Sequence, residues 1–439
     1  MKSNRLIGKI TALTLVLMMV VAMFTGCGST PPAPSNSPTA NESKNIVFWY
    51  WANTWNKVWD AYISETGANV KVEYVNVAAD DYMTKLQSTV ASGGDLPDIG
   101  AMENAWRGAV IEMDIWDNLE QAPYNVKRED FVPAYLTLAT DTKGTIKGIE
   151  NGPSPAGLIY RRDLAAKYFG TDKPEELEAM MSDWDSFYNK GLEVKEKSSG
   201  SVFMMSGISD LWTVLSGQGN EPYVDLEKKL LTAGTTAKAN FAILEKFRKA
   251  EIVDLIESWT PAWNASYANG TTIFYPFTHW SGPYAVEPND PNGSGNWSLM
   301  NAPGGTFSYG GTNFGIMKTS VVKQEAWDMI KWATFSSEGA QTMFTIWGNT
   351  LSSNKNATSD PKYRELTDSE FPYYNNQKIL NKLESMMGTM KIRALTPYDQ
   401  TLTNSFNIGV KAINNGESAD RALGLVVEEI IRNVPELHE

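Results

Sequence analysis

The segment NIVFWYW, residues 45–51, opens the stretch of chain that decides the fold. Its apolar and aromatic run predicts a buried β-strand. A helix is predicted next, because apolar residues recur at helical spacing: Trp55, Val58, Trp59, Tyr62 and Ile63. The sequence VKVEYVNV (residues 70–77) alternates as a second strand, residues 80–90 form a second helix and residues 98–102 a third strand. This order predicts an α/β fold with a parallel sheet covered by helices on both faces.

Similar segments recur more loosely along the rest of the chain. Further strands are predicted at residues 157–160, 201–205, 271–275 and 314–317. Three helices are predicted near the C-terminus, at residues 375–387, 400–414 and 419–433. Residues 283–305 are rich in Pro, Gly and Asn and predict a long irregular loop.

The beginning of the chain predicts export. Three basic residues precede an uncharged apolar run at residues 10–24, and small residues precede Cys27, the only cysteine in the chain. This order is typical of a secretory signal. The position of Cys27 resembles the lipobox of bacterial lipoproteins, in which the cysteine is acylated and becomes the first mature residue. The alternative is an N-terminal transmembrane anchor with an incidental cysteine.

We therefore predict a lipoprotein signal peptide at residues 1–26, with Cys27 lipidated. Residues 27–44 contain four prolines and few apolar side chains, so they predict a flexible tether between the lipid and the folded body. The expected location is the extracellular face of the cell membrane, held by the lipid alone.

Composition narrows the functional classes. A chain of 439 residues predicts at least two domains. The net charge of −13 argues against nucleic acid as a partner, and also against anionic lipid, because both need clustered Lys and Arg. The single cysteine excludes disulfides and thiolate metal sites from the folded part, and only two histidines argue against Ser/His/Asp catalysis. The 15 Trp and 18 Tyr residues suit flat ligands such as sugar rings.

Seven motifs in order resemble the extracellular solute-binding proteins, family 1, the maltose-binding-like receptors of sugar ABC importers. They are VFWYW (47–51) with Trp55, YMTKLQ (82–87), SGGDLPDI (92–99), GLIYRRDL (157–164), Asn269–Gly270 through Trp280, GGTNFGI (310–316) and NNGESADRA (414–422). Each motif alone is weak, but together they cover nearly all of residues 45–433.

The resemblance implies a two-lobed periplasmic-binding-protein-like fold of class II, each lobe a mostly parallel sheet flanked by helices around a hinged cleft. Lobe one is expected at 45–152 and 310–355, and lobe two at 153–309 and 356–439. It further implies a monomeric, non-enzymatic receptor without cofactor or metal, which binds a carbohydrate and delivers it to ABC permease subunits.

Ligands of open parallel sheets lie beyond the carboxyl ends of the strands. Lobe one offers polar and aromatic side chains at two such ends. The candidates after the first strand are Trp51, Asn53 and Thr54, and those after the third are Glu103, Asn104 and Trp106. Carboxylate and amide groups suit paired sugar hydroxyls, and indoles suit the C–H face of a sugar ring. Trp55 and Trp59 could instead pack the first helix against the core rather than contact a ligand. We favour this packing role for Trp59.

Lobe two offers candidates from three segments: Asp210 with Trp212, Trp280, and Tyr398 with Asp399. Gly311 is a candidate at a crossing between the lobes, where glycine suits a backbone bend or the close approach of a ligand. Trp280 resembles the family position that stacks on sugar. The alternatives are helix capping for Asp210 and Asp399 and core packing for Trp212.

Three further residues are expected to have structural roles. His279 is expected to be packed or hydrogen-bonded, and Trp347 to lie in the core. Asp290 begins a pattern similar to a calcium loop, but Asn301 stands where that loop needs Glu.

Two alternatives to a transport receptor stay open. A secreted glycoside hydrolase would need two carboxylates across one sugar, and acidic residues are too common here to exclude it. A surface sugar sensor or adhesin would share the fold.

Overall fold

A computed structural model of the chain describes residues 43–348 and 351–439. The predicted signal peptide, Cys27 and nearly all of the predicted tether lie outside the described residues. The strands are β1 (Lys44–Tyr50), β2 (Val70–Asn76), β3 (Ile99–Glu103), β4 (Ile149–Glu150), β5 (Pro155–Arg161), β6 (Phe203–Met205), β7 (Val224–Asp225), β8 (Leu230–Leu231), β9 (Thr272–Phe277), β10 (Trp297–Met300), β11 (Phe307–Ser308) and β12 (Thr312–Ile316).

Helices connect and cover these strands. They are α1 (Thr54–Thr66), α2 (Ala79–Ser92), α3 (Arg107–Ile111), α4 (Pro133–Ala139), α5 (Arg162–Phe169), α6 (Pro174–Met180), α7 (Trp184–Ser198), α8 (Ile208–Gly217), α9 (Ala233–Thr236), α10 (Lys238–Ala250), α11 (Pro261–Asn269), α12 (Glu287–Asn289), α13 (Lys323–Phe335), α14 (Ser337–Trp347), α15 (Lys355–Thr358), α16 (Pro361–Thr367), α17 (Ile379–Met387), α18 (Asp399–Asn414) and α19 (Ala419–Asn433). Among these described helices, none is long and apolar enough to cross a membrane.

The first sheet contains the segments that begin the folded chain. Its strand order is β2-β1-β3-β12-β4, and β1 pairs in parallel with both β2 and β3. The predicted strand–helix–strand–helix–strand order is therefore confirmed. Helix α1 ends at Gly67, whose φ of 68° lies in the left-handed region that glycine adopts without a steric penalty.

The second sheet has the order β10-β5-β9-β6, with β11 also pairing with β5. Only β6 and β9 run in parallel, whereas β5 is antiparallel to β9, β10 and β11. The expectation of a mostly parallel sheet in each lobe is therefore wrong for this sheet. In the first sheet, β12 is also antiparallel to β3 and β4.

The chain crosses between the two sheets at two short connections. Residues 151–154 lead from β4 in the first sheet to β5 in the second, and residues 309–311 lead from β11 back to β12. Each sheet has its own large apolar core, one containing Phe48, Trp59 and Phe314, the other Leu158, Phe274 and Phe406. The fold is thus two-lobed and α/β. We call the parts built on the first and second sheets lobe one and lobe two. Their residue boundaries stay a prediction.

Candidate functional site

A cavity of about 500 Å³ lies where the two crossings meet the ends of β1, β3 and β9. Both lobes contribute to its lining. Because many of its described lining residues are Trp or Tyr, we name it the aromatic cavity; these residues are Tyr50, Trp51, Trp55, Trp259, Trp280, Tyr284 and Trp347.

The wall from lobe one is formed at the carboxyl end of β1. The rings of Tyr50 and Trp51 stack with centroids 4.2 Å apart and planes 16° apart. Trp55, on the first turn of α1, packs edge-on against Trp347 at 4.9 Å. The hydroxyl of Thr54 and the indole nitrogen of Trp347 are buried without a hydrogen-bond partner among the described residues. This wall therefore presents flat apolar surface and two unused polar atoms.

The wall from lobe two is formed after β9. The Trp280 indole nitrogen donates a hydrogen bond of 3.0 Å to the carbonyl of Tyr309, in the second crossing. The Trp280 ring also contacts the rings of Tyr309, at 4.8 Å, and of Trp259, at 5.9 Å. Trp280 is consequently fixed to the segment that joins the lobes.

Glycine allows the second crossing to pass close to its neighbours. Gly311 has a φ of 108°, and a Cβ built there would lie 2.9 Å from Glu150 Oε1. A Cβ on Gly310 would lie 3.3 Å from the Trp280 ring. Side chains at either position would be strained in φ, and both residues line the aromatic cavity.

A buried ion pair lies beside this crossing. Arg107 Nη1 is 3.0 Å from Glu150 Oε2, and both side chains are fully buried. Arg107 Nε also donates to the Met102 carbonyl, and Glu150 Oε1 accepts a 2.7 Å hydrogen bond from the amide of Thr312. The pair thus ties the ends of β3, β4 and β12 together. Burial raises the pKa of Glu150 to about 7, and the charge on Arg107 opposes that rise.

A second cavity of about 400 Å³ adjoins the first and shares Glu103 and Gly310 with it. We name it the polar cavity, because charged and amide side chains line much of it, including Asn104, Lys391, Arg393, Asp399 and Asn407. The two cavities together form an elongated cleft between the lobes.

Lobe one and lobe two touch directly beside the polar cavity. Helix α3 packs against α18, and Gly108 lies so close to the Asp399 carboxylate and the Thr396 carbonyl that no Cβ would fit there. Asp399 accepts hydrogen bonds from the amide and the hydroxyl of Thr396. Burial raises the pKa of Asp399 to about 6.

The family model for bacterial extracellular solute-binding proteins matches residues 57–370. The chain belongs to this family. A search of curated proteins found no match.

Solved structures of similar proteins share the fold of this solute-binding protein. A structure described as extracellular solute-binding protein family 1 has a TM-score of 0.79 at 19% identity, covering 89% of this chain and 99% of that one. The sugar-binding protein MalE of Xanthomonas citri has a TM-score of 0.71 at 16% identity, covering 90% and 100%. The galacto-N-biose-/lacto-N-biose I-binding protein of Bifidobacterium longum has a TM-score of 0.69 at 16% identity, covering 90% and 98%.

Many of the predicted site residues of the solute-binding protein line the cleft. Trp51, Thr54, Glu103, Trp280 and Gly311 line the aromatic cavity. Glu103 also lines the polar cavity, together with Asn104, Trp212 and Asp399. Trp212 keeps a packing role as well, since its ring contacts Phe406 at 4.8 Å. The predicted contact of these residues with a ligand stays a prediction.

Other predicted site residues lie elsewhere. Asn53 is exposed, and its amide oxygen accepts a hydrogen bond from Asn76. Trp106 is buried and stacked on Tyr82, with centroids 5.4 Å apart, so it packs in the core of lobe one. Tyr398 packs against the core of lobe two. These three residues do not line either cavity. For Asn53 and Trp106, a place after a strand end does not fix the direction of the side chain, and Tyr398, directly before α18, packs inward.

Asp210 is also placed differently from the prediction. Its carboxylate is 1% exposed and accepts hydrogen bonds from Ser206, from Ser258 at 2.6 Å and from the Trp263 indole at 2.8 Å. Burial raises its pKa. Asp210 neither lines a cavity nor caps α8 with its side chain. Its role is to hold neighbouring segments of lobe two.

Sequence reasoning missed several cavity residues. Trp259 and Tyr284 line the aromatic cavity but were not among the candidates. Trp347 was expected in the core, and it both packs against the core of lobe one and lines the cavity. For Tyr284, the residues GPY (282–284) directly after the Trp280 motif were the available signal. For Asp290, a hydrogen bond of 2.9 Å from the Trp297 indole accounts for the carboxylate.

His279 is a titratable side chain that lines the aromatic cavity. Its Nε2 lies 3.4 Å from the Gly152 carbonyl in the first crossing. Burial lowers the pKa of His279 to about 4, from an ordinary value of 6.5. The imidazole is therefore neutral at pH 7, whereas in the unfolded chain it takes up a proton as the pH falls below about 6.5.

Acidification from about pH 7 to pH 5 should destabilise the wild-type protein more than a His279→Asn variant, by up to about 2 kcal/mol. The sign follows because the folded pKa is depressed: the stabilising contribution is present above the unfolded pKa and is lost as the pH falls toward the folded pKa. Urea unfolding of both proteins at the two pH values measures the difference. Carboxylates that titrate in this range cancel in the comparison. Equal losses in the two proteins would contradict the prediction.

Proposed function

We propose that this solute-binding protein is the carbohydrate receptor of an ABC importer. The single observation that carries the proposal is the aromatic cavity between the lobes. Indole and phenol rings provide the flat surface on which the C–H face of a sugar stacks, and Glu103, Asn151 and Thr312 provide hydrogen-bonding groups beside them. A ligand that contacts both walls stabilises the closed arrangement of the lobes.

The ligands of proteins with the same fold support this proposal. The Bifidobacterium longum protein was solved in complex with lacto-N-biose. A binding protein from Bifidobacterium animalis subsp. lactis Bl-04 was solved with β-1,6-galactobiose. Both belong to ABC transporters, as their descriptions state, and both ligands are sugars.

A melting-temperature screen of the purified protein, residues 27–439, against a broad glycan panel tests the proposal. We expect at least one sugar to raise the melting temperature, with calorimetry giving a one-to-one complex. Binding of no sugar in either measurement would overturn the proposed function.

The hydrolase alternative requires two carboxylates facing one sugar. Among the described residues that line the aromatic cavity, Glu103 is the carboxylate and has no acidic partner there. In the adjoining polar cavity it is joined by Asp399, but that carboxylate is engaged by Thr396 and packs against Gly108 at the contact between the lobes. We therefore propose a non-enzymatic role. Prolonged incubation with the bound sugar followed by product analysis tests it, since any released monosaccharide would favour the hydrolase.

The other alternative is a surface sugar sensor or adhesin. Two permease genes beside the gene for this protein would favour import over that alternative.

We further propose that residues 1–26 are removed, that Cys27 is lipidated and that the monomeric receptor stays close to its permease through this anchor. Anchoring raises the effective concentration of one protein for the other.

A Cys27→Ala variant should leave sugar affinity unchanged and release the protein from the membrane into the medium. We expect this because the described residues that line the two cavities all lie at position 50 or beyond, whereas Cys27 directly follows the predicted signal peptide. Fractionation of expressing cells and calorimetry of the released protein measure the two properties. A variant that lost sugar affinity, or that stayed in the membrane fraction, would contradict the proposed division of roles.

A further inference from the structure

Trp259 is an unusually exposed aromatic residue at the mouth of the cleft. Its side chain is 54% exposed, and so is that of Tyr284. Among the large hydrophobic residues that are exposed in the described parts of the chain, these two are the aromatic ones. Both line the aromatic cavity. Exposed apolar surface gathered at one concave site indicates a surface that binds something.

The backbone of Trp259 is strained. Its φ of 67° lies in the left-handed region, which is disfavoured for a bulky residue with a Cβ. Such a conformation persists only where the surrounding structure holds it, and it concentrates at functional sites.

The carboxylate of Asp210 holds this conformation by accepting hydrogen bonds from both sides of Trp259. Its buried carboxylate accepts hydrogen bonds from Ser258, directly before Trp259, and from the indole of Trp263, on the first turn of α11. Thr260, directly after Trp259, caps the same helix by accepting a hydrogen bond from the amide of Trp263. Both flanks of Trp259 are therefore fixed, and the partners of the Asp210 carboxylate among the described residues are neutral: Ser206, Ser258 and Trp263.

The fixed ring extends the surface of Trp280. The Trp259 ring packs on the Trp263 ring at 4.7 Å and lies nearly parallel to the Trp280 ring, with planes 26° apart and centroids 5.9 Å apart. Two adjacent and nearly parallel indoles offer stacking surface for more than one sugar ring.

The lining also indicates the charge of the ligand. Among the described residues of the aromatic cavity there is no Lys or Arg, and Glu103 carries a carboxylate. His279 is neutral at pH 7. A charged ring stacked in the aromatic cavity would therefore lack a cation there, at a large desolvation penalty, whereas Lys391 and Arg393 line the adjoining polar cavity.

We propose that Trp259 is a specificity-determining ligand contact, and that Asp210 is a positioning residue for it, so that the receptor selects sugars of at least two rings whose rings in the aromatic cavity are uncharged. This inference rests on the proposed function, because it assigns a size and a charge to the sugar that the cleft binds.

Calorimetry with paired sugars tests the size selection. The probes are maltose, cellobiose, xylobiose, β-1,6-galactobiose and lacto-N-biose, each compared with its constituent monosaccharides, and digalacturonic acid as the anionic probe. We expect the wild-type protein to bind at least one neutral disaccharide about tenfold or more tightly than its monosaccharides, and Trp259→Ala to remove most of that difference. Trp332→Ala is the matched control, because Trp332 is a half-buried indole of lobe one that lines neither cavity.

A double-mutant cycle tests the role of Asp210. If Asp210 acts through Trp259, Asp210→Asn should weaken disaccharide binding in the wild-type background and have little further effect in the Trp259→Ala background. Should Asp210→Asn fail to fold, Ser258→Ala takes its place in the cycle, since it removes one donor to the same carboxylate. Additive effects would show that Asp210 is merely structural and would overturn its assignment.

The outcomes separate this inference from the proposed function. Binding of no probe by the wild-type protein would overturn both. If the wild-type protein binds a monosaccharide or digalacturonic acid more tightly than every neutral disaccharide, the inference is overturned and the proposed function stands. The same holds if Trp259→Ala keeps the disaccharide preference of the wild type.

Discussion

Replacing Arg107 with methionine should lower the free energy of unfolding by about 3–5 kcal/mol. The variant keeps much of the side-chain volume but removes the charge that faces Glu150 in a fully buried ion pair. The remaining carboxylate would be left in the interior without its cation, and its desolvation would no longer be compensated. Arg107 and Glu150 join the ends of β3, β4 and β12. The substitution should therefore destabilise the part of lobe one that leads into both crossings.

The matched control is Arg128→Met. Arg128 also forms an ion pair, 2.8 Å from Glu120, but its side chain is 44% exposed. Solvent screens such a pair, so we expect a loss of only about 0–1 kcal/mol. Urea unfolding with a shared m-value measures both variants against the wild type.

A double variant separates the ion pair from simple packing. In Arg107→Met/Glu150→Gln no charge is left buried, and the Gln side-chain oxygen can still accept the hydrogen bond from the Thr312 amide. We expect this protein to recover most of the stability that Arg107→Met loses, since uncharged replacements of buried pairs are often tolerated. If Arg107→Met were as stable as Arg128→Met, the buried ion pair would not carry the predicted effect. A double variant less stable than Arg107→Met would likewise contradict this explanation.

Local pattern predicted the first half of lobe one well. Helix α1 and strand β2 follow from periodicity within a few residues of sequence, and the glycine at 67 marks the helix end. The same reasoning predicted a strand at residues 314–317, but it could not predict that this strand, β12, joins the first sheet from a place more than 200 residues along the chain. Strand pairing at that distance leaves no periodic trace, and only the resemblance to a family implied it.

The segment at residues 283–305 shows a second limit. Its Pro, Gly and Asn content predicted an irregular loop, yet Trp297–Met300 forms β10, fully buried and antiparallel to β5. Its three apolar residues, Trp297, Leu299 and Met300, are too few to outweigh the surrounding turn formers in a sequence window. The tertiary environment, not local propensity, makes this segment a strand.

The candidate site was predicted where side chains follow strand ends, as for Trp51, Glu103 and Trp280. Asp210 was misplaced because its partners, Ser258 and Trp263, are about 50 residues away and were not visible as a group. Trp259 was missed because its importance depends on an unusual backbone angle and on exposure. Neither property has a reliable signal in a single sequence.

Trp280→Ala should weaken binding of the cognate sugar by about a hundredfold, or about 2.7 kcal/mol. Trp280 contacts three parts of the aromatic cavity and its surroundings at once: the Trp259 ring, the Tyr309 ring and the backbone of the second crossing. Removing the indole deletes the central stacking surface of lobe two and frees the Tyr309 carbonyl. Calorimetry gives the affinity, and thermal melting verifies that the variant is folded.

Trp280→Phe distinguishes stacking from anchoring. Phenylalanine keeps an aromatic face but cannot donate a hydrogen bond to the Tyr309 carbonyl, so we expect it to retain most of the sugar affinity while the alanine variant loses it. Trp332→Ala, outside both cavities, should bind as the wild type does. If the phenylalanine and alanine variants lost affinity equally, the hydrogen bond to the crossing would be the main contribution, and Trp280 would act by fixing the crossing rather than by touching the sugar.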